Sequence, residues 1–161
     1  GVVDREREFE LRTIGTPGKG AGELSNTHGL WVDDRDAANP TLAVADRGNN
    51  RIQYFTLDGR HLRFVTSGMR KPCHFKIDYK NKLLLVPDLE RIVTILDKDD
   101  NVVAALGDGA GGPDLRTVPR EKFPPGKFVH PHAAICAGDR PDIVVAEWVP
   151  IGRVTHLRKV S

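Results

Sequence analysis

Apolar residues alternate with polar ones in short runs along this chain, and no run keeps a period of 3.6 over ten or more residues. β-branched and aromatic residues fill the runs; Gly, Pro, Asn and Asp separate them. The pattern predicts strands at residues 9–14, 29–32, 41–45, 51–57, 61–65, 75–77, 82–86, 92–96, 102–106, 133–136, 142–146 and 153–157. They recur every ten residues or so with turn signals between them, Asp58-Gly59 being the clearest hairpin. The expected class is all-β: a sandwich, a barrel or a propeller.

Internal repetition separates those three. Thr27-His28-Gly29-Leu30-Trp31-Val32-Asp33 aligns with Cys73-His74-Phe75-Lys76-Ile77-Asp78, and both align with Pro131-His132-Ala133-Ala134-Ile135-Cys136. Each copy leads into a β run that closes on an acid: Asp46, Asp88 and Glu147. Each acid is followed by a turn and then by arginine with a β-branched residue: Arg51-Ile52, Arg91-Ile92 and Arg153-Val154. The spacing of the three histidines is that of a four-stranded propeller blade, with an insert at 108–127 before the third copy.

The stretch from Val44 to Phe55, with Asp58-Gly59 after it, resembles an NHL repeat. The Gly-rich segment before it (Ile14-Gly15 through Glu23-Leu24) resembles that family's inter-blade linker. The resemblance takes in residues 1–161 as one segment, with repeats at 27–66, 73–107 and 130–158. It implies a β-propeller of four-stranded antiparallel blades, with three blades' worth of strands here, half of a six-bladed ring. The strand at 9–14 then reads as a displaced fourth strand, and the third repeat stops without one. Rings close with roughly four to eight blades, so three leave strand edges open. Two closures are open: further blades in a longer chain, or self-association of two copies as a two-fold ring. The start at Gly1, without Met, reads as a processed form or a piece of something longer.

Composition narrows the partners. The 161 residues carry 24 basic and 22 acidic side chains, a net charge of +2 that exerts no global pull on nucleic acid. Arg35, Arg47, Arg60, Arg63, Arg70 and Lys71 form a local basic set, yet aromatic residues are only 6%, too few for base-stacking platforms. Nucleic acid is therefore not the expected partner; a small molecule, peptide or glycan is. No apolar stretch reaches the ~18 residues of a membrane helix. Cys73 and Cys136 leave one disulfide open.

Candidate chemistry follows from the repeat. In a meander, strand a starts on the face where strand b ends. His28, His74 and His132 are thus expected to ring the propeller axis, with Asp46, Asp88 and Glu147 behind them. Imidazoles as ligands with carboxylates orienting them suit a divalent metal, zinc first. The plainer reading is that duplication copied each histidine and that each one bonds a neighbouring blade. Arg51, Arg91 and Arg153 are read as structural, and Cys73 is set apart from His74 because neighbours on a strand face opposite ways. Gly15–Gly22 fails the phosphate-loop pattern, since Gly20 follows Lys19, and is read as a linker. Arg47 and Glu147 are the catalytic candidates, and Trp148 with 149–152 a pocket wall. Within the NHL-type propellers, the chain is similar to peptidyl-hydroxyglycine amidating lyases. That resemblance implies a metal-dependent lyase or hydrolase, Arg47 gripping a substrate carboxylate, and an extracellular or periplasmic location. It lacks the tyrosine those enzymes use. The alternative is a non-catalytic protein- or carbohydrate-binding module.

Overall fold

Alternation along the middle strands puts apolar side chains on both faces of a sheet, and this decides how the sheets stack. The structure is a computed structural model describing residues 2–4, 9–107, 109, 115–137, 142–150 and 152–158, with backbone alone for 2–4 and 9–11. The chain starts with β1 (Val2–Asp4) paired antiparallel to β2 (Phe9–Leu11), then β3 (Thr16–Pro17) parallel to β4 (Glu23–Leu24). Blade one is β5 (Leu30–Asp33), β6 (Thr41–Asp46), β7 (Arg51–Phe55) and β8 (His61–Val65), hydrogen-bonded in that order. Blade two repeats it with β9 (Lys76–Asp78), β10 (Leu83–Asp88), β11 (Ile92–Leu96) and β12 (Val102–Gly107). Blade three is three-stranded: β13 (Pro131–Ala137), β14 (Asp142–Glu147) and β15 (Val154–Leu157).

The fold is all-β, with the antiparallel blades that the repeats predict. The irregularities repeat too. A bulge lies between Tyr54 and Phe55 where β7 meets β8, and another between Ile95 and Leu96 where β11 meets β12. The first strand differs from expectation. It ends at Leu11 and pairs with Val2–Asp4, a segment with too few residues to show a period. The Gly-rich stretch at 107–112, at the repeat position of the Gly15–Gly22 linker, lies mostly outside the described residues.

Leu84, Val86 and Leu96 of blade two join Ala43, Ala45, Ile52 and Tyr54 of blade one in one apolar cluster. Their alternates Leu85, Val93 and Ile95 join Phe128, Ala134 and Val145 in a second, against blade three. Full burial of each large side chain stabilises by roughly 1.5–3 kcal/mol, against about 1 kcal/mol net per hydrogen bond. Packing between blades therefore fixes their order. Blade two is covered on both faces. At the ends of the stack Leu30 and Val32 of blade one, and Ile135 and Val154 of blade three, are exposed.

On the side away from the histidines, polar residues tie blade one to blade two. Arg35, 6% exposed, binds Asp33 at 2.6 Å and Asp100 at 3.2 Å, and also donates to the Asp97 carbonyl. Tyr54 Oη donates to Asp100 Oδ1 at 3.2 Å, and the Arg63 guanidinium covers the Tyr54 ring. Burial and the Asp100 and Asp33 carboxylates push the Tyr54 phenol far above its ordinary range, so it stays protonated and donates.

Candidate metal centre

The repeated histidines enter the site by two local devices. His28 and His74 each lie two residues before their inner strand, and His132 is the extra residue of a bulge. Pro131 pairs with Glu147 and Ala133 with Ala146, so His132 is left out of the register. Bulges turn a side chain aside in this way. His28 and His132, from blades one and three, meet with ring centroids 4.7 Å apart in an edge-to-face arrangement.

Cys73 completes the group. One ligand atom from each of His28, Cys73 and His132 falls within 4.8 Å of the others. The His28 Nδ1–H donates to the Cys73 carbonyl at 3.0 Å. A carbonyl can only accept, so Nδ1 carries the proton and Nε2 keeps its lone pair, the usual arrangement of a histidine ligand. Burial first, then the proximity of His28, Arg47 and His74, pushes the His132 imidazole down, which favours its neutral form. Burial pushes the Cys73 thiol up; the Arg47 guanidinium beside it works the other way. Cys73 and Cys136 are both free thiols.

His74 stands beside this group. Its Nδ1 lies 2.9 Å from the Phe75 backbone N–H, and its ring packs edge-on to Trp31. The segment from Cys73 to Phe75 is not yet strand, so the alternation that set Cys73 apart from His74 does not hold there. A cysteine next to a repeated histidine was the available signal. Arg47 opens a 3-10 turn (Arg47–Asn49) and donates to Asn26 Oδ1 at 3.2 Å.

The three acids sit at the ends of β6, β10 and β14, but they face the backbone. Asp46 accepts the Ser25 N–H at 2.8 Å, Asp88 the Lys71 N–H at 2.7 Å, and Glu147 the Val129 N–H at 2.6 Å. Ser25, Lys71 and Val129 each precede the repeated histidine by three residues. The acids therefore clamp the chain as it enters each inner strand, and so position the histidines through the backbone. Burial pulls the Asp46 carboxyl upward, but hydrogen bonds from Ser25, Asn49, Gln53 and Arg51 outweigh it and hold the group below its usual range. Asp88 also accepts from the Arg70 and Glu90 N–H groups, yet burial, with the Glu90 charge nearby, raises it. Glu147 is spent on Val129 and on Arg153 at 3.2 Å, not on a histidine.

The arginines hold linkers. Arg51 donates to the Gly20 and Glu23 carbonyls, Arg91 to Phe128 and Arg153 to Lys127. The phosphate-loop look-alike is filled by its own side chain: Glu23 accepts from the Lys19 and Gly20 N–H groups at 2.8 and 2.7 Å. His156 pairs with Asp142 at 3.1 Å on the outer part of blade three.

No protein-family model matches the chain. Among curated proteins, 52 residues, or 32% of the chain, are 42% identical to Protein lin-41 of Caenorhabditis elegans, an NHL-repeat protein. The match spans 4% of lin-41. With the bladed sheets, it is consistent with an NHL-type propeller module.

Proposed function

We propose that this chain is part of an NHL-type propeller whose axial group, His28, Cys73 and His132, binds a divalent metal, zinc first. The observation that carries the proposal is the convergence of two imidazoles and a thiol from three blades, with ligand atoms within 4.8 Å of one another. In a tetrahedral zinc site, bond lengths of about 2.0–2.3 Å put ligand atoms about 3.3–3.8 Å apart. Side-chain rotation that draws the group in by about 1 Å meets that requirement. The donor set fits: a neutral His132, a His28 with Nε2 available, and a buried thiol that gives up its proton on binding.

Zinc so held would supply a Lewis acid and a site where bound water or hydroxyl loses a proton near pH 7. That supports a lyase or hydrolase reading. Arg47, beside Cys73, offers the cation for an anionic substrate group. Glu147 accepts the Val129 N–H and pairs with Arg153, and is read as holding the chain ahead of His132. His74 lies close enough to act on the His132 imidazole, and is read as a flanking group.

The exposed Leu30 and Val32 at one end and Ile135 and Val154 at the other are read as faces on which further blades pack. Self-association of two copies into a six-bladed ring would cover both.

Elemental analysis and zinc titration test the metal. One equivalent is expected in the wild-type chain. Affinity should fall at least tenfold in His28→Ala, His132→Ala and Cys73→Ser and hold in His74→Ala. Cobalt substitution should give a thiolate charge-transfer band that Cys73→Ser abolishes. Failure of the wild-type chain to bind zinc or cobalt rejects the proposal. Light scattering on the same samples tests the ring: a mass twice the 17.8 kDa of one chain is expected for two copies.

A further inference from the structure

We propose that one buried water binds in blade three between Glu147 Oε2, Arg153 Nη1 and Thr155 Oγ1, where blade one uses the carboxamide of Gln53. The site stands apart from the metal reading and follows from the repeat alone. Arg51-Ile52-Gln53, Arg91-Ile92-Val93 and Arg153-Val154-Thr155 hold the same repeat position. Each starts beside the acid that closes the strand before it. Asp46 pairs with Arg51 in the ladder, Asp88 with Ile92, and the Glu147 N–H donates to the Arg153 carbonyl.

The three blades satisfy that acid in different ways. In blade one the fully buried Gln53 donates from Nε2 to Asp46 Oδ2 at 2.9 Å and to the Glu23 carbonyl, and accepts the Gly22 N–H at 3.1 Å. Blade two has Val93 at that position, packed in the apolar cluster, and Asp88 takes three backbone N–H groups instead. In blade three Glu147 Oε1 accepts the Val129 N–H, while Oε2 lies 3.2 Å from Arg153 Nε without making a hydrogen bond. The Glu147 side chain is fully buried. Among the described residues, Glu147 Oε2, Arg153 Nη1 and Thr155 Oγ1 are buried atoms that no hydrogen bond satisfies. Arg153 and Thr155 alternate with the exposed Val154 and His156, so their side chains share the inner face of β15.

The three atoms choose the ligand. Arg153 Nη1 can only donate and Glu147 Oε2, as carboxylate, can only accept, so the group between them must accept from one and donate to the other. A sodium ion would face the guanidinium and a chloride the carboxylate; water meets both, and its remaining bonds suit the Thr155 hydroxyl. A buried water needs two to four polar partners, and these supply three. Threonine stops short of where a glutamine carboxamide reaches, and a water, with a share of about 30 Å³, is of that scale. The guanidinium is held in place for it: Arg153 Nη2 donates to the Lys127 carbonyl at 2.8 Å, and Cζ lies 3.6 Å from the centre of the Phe123 ring. Because Glu147 also holds the Val129 N–H, three residues ahead of His132, the water steadies the entry to β13.

Oxygen-17 relaxation dispersion on the full chain tests the site. It counts long-lived waters through their oxygen, so exchanging hydroxyl and guanidinium protons do not register. A chelator is present throughout, so the result does not depend on the metal centre. A chain of this length should hold roughly six buried waters at about one per 27 residues, so the loss of one is readable. Thr155→Gln rebuilds the blade-one arrangement and should hold one long-lived water fewer than the wild type. Equal counts in the two folded proteins overturn the proposal. Should Thr155→Gln fail to fold, a high-resolution crystal structure of the wild-type chain decides. Density within hydrogen-bonding distance, about 2.7–3.2 Å, of both Glu147 Oε2 and Arg153 Nη1 supports the water; no density between them overturns it.

Discussion

Arg35→Leu is expected to lower the unfolding free energy by about 3–5 kcal/mol, the usual cost of removing one partner from a buried ionic group. Asp33 is 6% exposed and Tyr54 fully buried, so the abandoned carboxylate and phenol have little water to turn to. A domain of this length loses roughly 2–4 °C of Tm per kcal/mol, so a fall of about 10 °C should appear in a thermal melt. Adding Asp33→Asn to Arg35→Leu should recover part of the loss, because it removes the uncompensated charge. A single variant costing under about 1 kcal/mol would show that water reaches the network, against its observed burial. The acid limb carries a second signature. Burial raises the Asp33 carboxyl, but the hydrogen bonds and charge of Arg35 outweigh it and hold the group below its usual range. Asp46 is held low as well. A carboxyl with a depressed folded pKa adds stability that is complete above its unfolded value of about 3.9 and is lost as pH falls through the folded value. Urea midpoints should therefore drop below pH 4 in the wild-type chain, and less steeply in Arg35→Leu.

The blades were legible because a period of two and a repeated strand-turn-strand unit survive in the residues themselves. Leu84-Leu85-Val86 shows both faces of a covered strand in three letters, and His28, His74 and His132 mark the repeat. The aligned acids were equally visible, but their partners were not. Asp46, Asp88 and Glu147 bind backbone N–H groups, which have no side-chain signature in a sequence. The same holds for Cys73. Its place in the group depends on where β9 starts, and strand starts are set by pairing with β10 rather than by local propensity. The bulge at His132 is a matter of register, which alternation alone does not reveal. The short pairing of Val2–Asp4 with Phe9–Leu11 lies below the length at which a period can be read.

Gly29→Ala should cost about 2–4 kcal/mol and also weaken the metal centre, a pairing of effects that general destabilisation does not give. A Cβ on Gly29 would lie 2.3 Å from the Cys73 carbonyl oxygen and 2.8 Å from the His74 Cα. Both are backbone atoms of blade two, so no side chain can swing away, and the blades must part. Overpacking of this kind costs typically 1–3 kcal/mol, and the Gly29 N–H bond to the Cys73 carbonyl at 2.8 Å adds about 1 kcal/mol when broken. That carbonyl also accepts from His28 Nδ1. Parting the blades therefore frees the His28 ring and separates it from the Cys73 thiol. Zinc affinity, measured by competition with a chromophoric chelator, should fall more than tenfold, as for loss of a positioning contact around a metal. Gly126→Ala is the control: its Cβ would meet nothing within 4 Å, so the loss should be confined to the strain of its positive φ, about 1 kcal/mol, with zinc affinity unchanged. The aligned positions in the other repeats hold Phe75 and Ala133. Glycine is thus a demand of the contact between blades one and two, where the candidate ligands His28 and Cys73 are brought together, and not of the repeat. Should Gly29→Ala lower stability and leave zinc binding intact, the His28–Cys73 pairing would not be part of the metal centre.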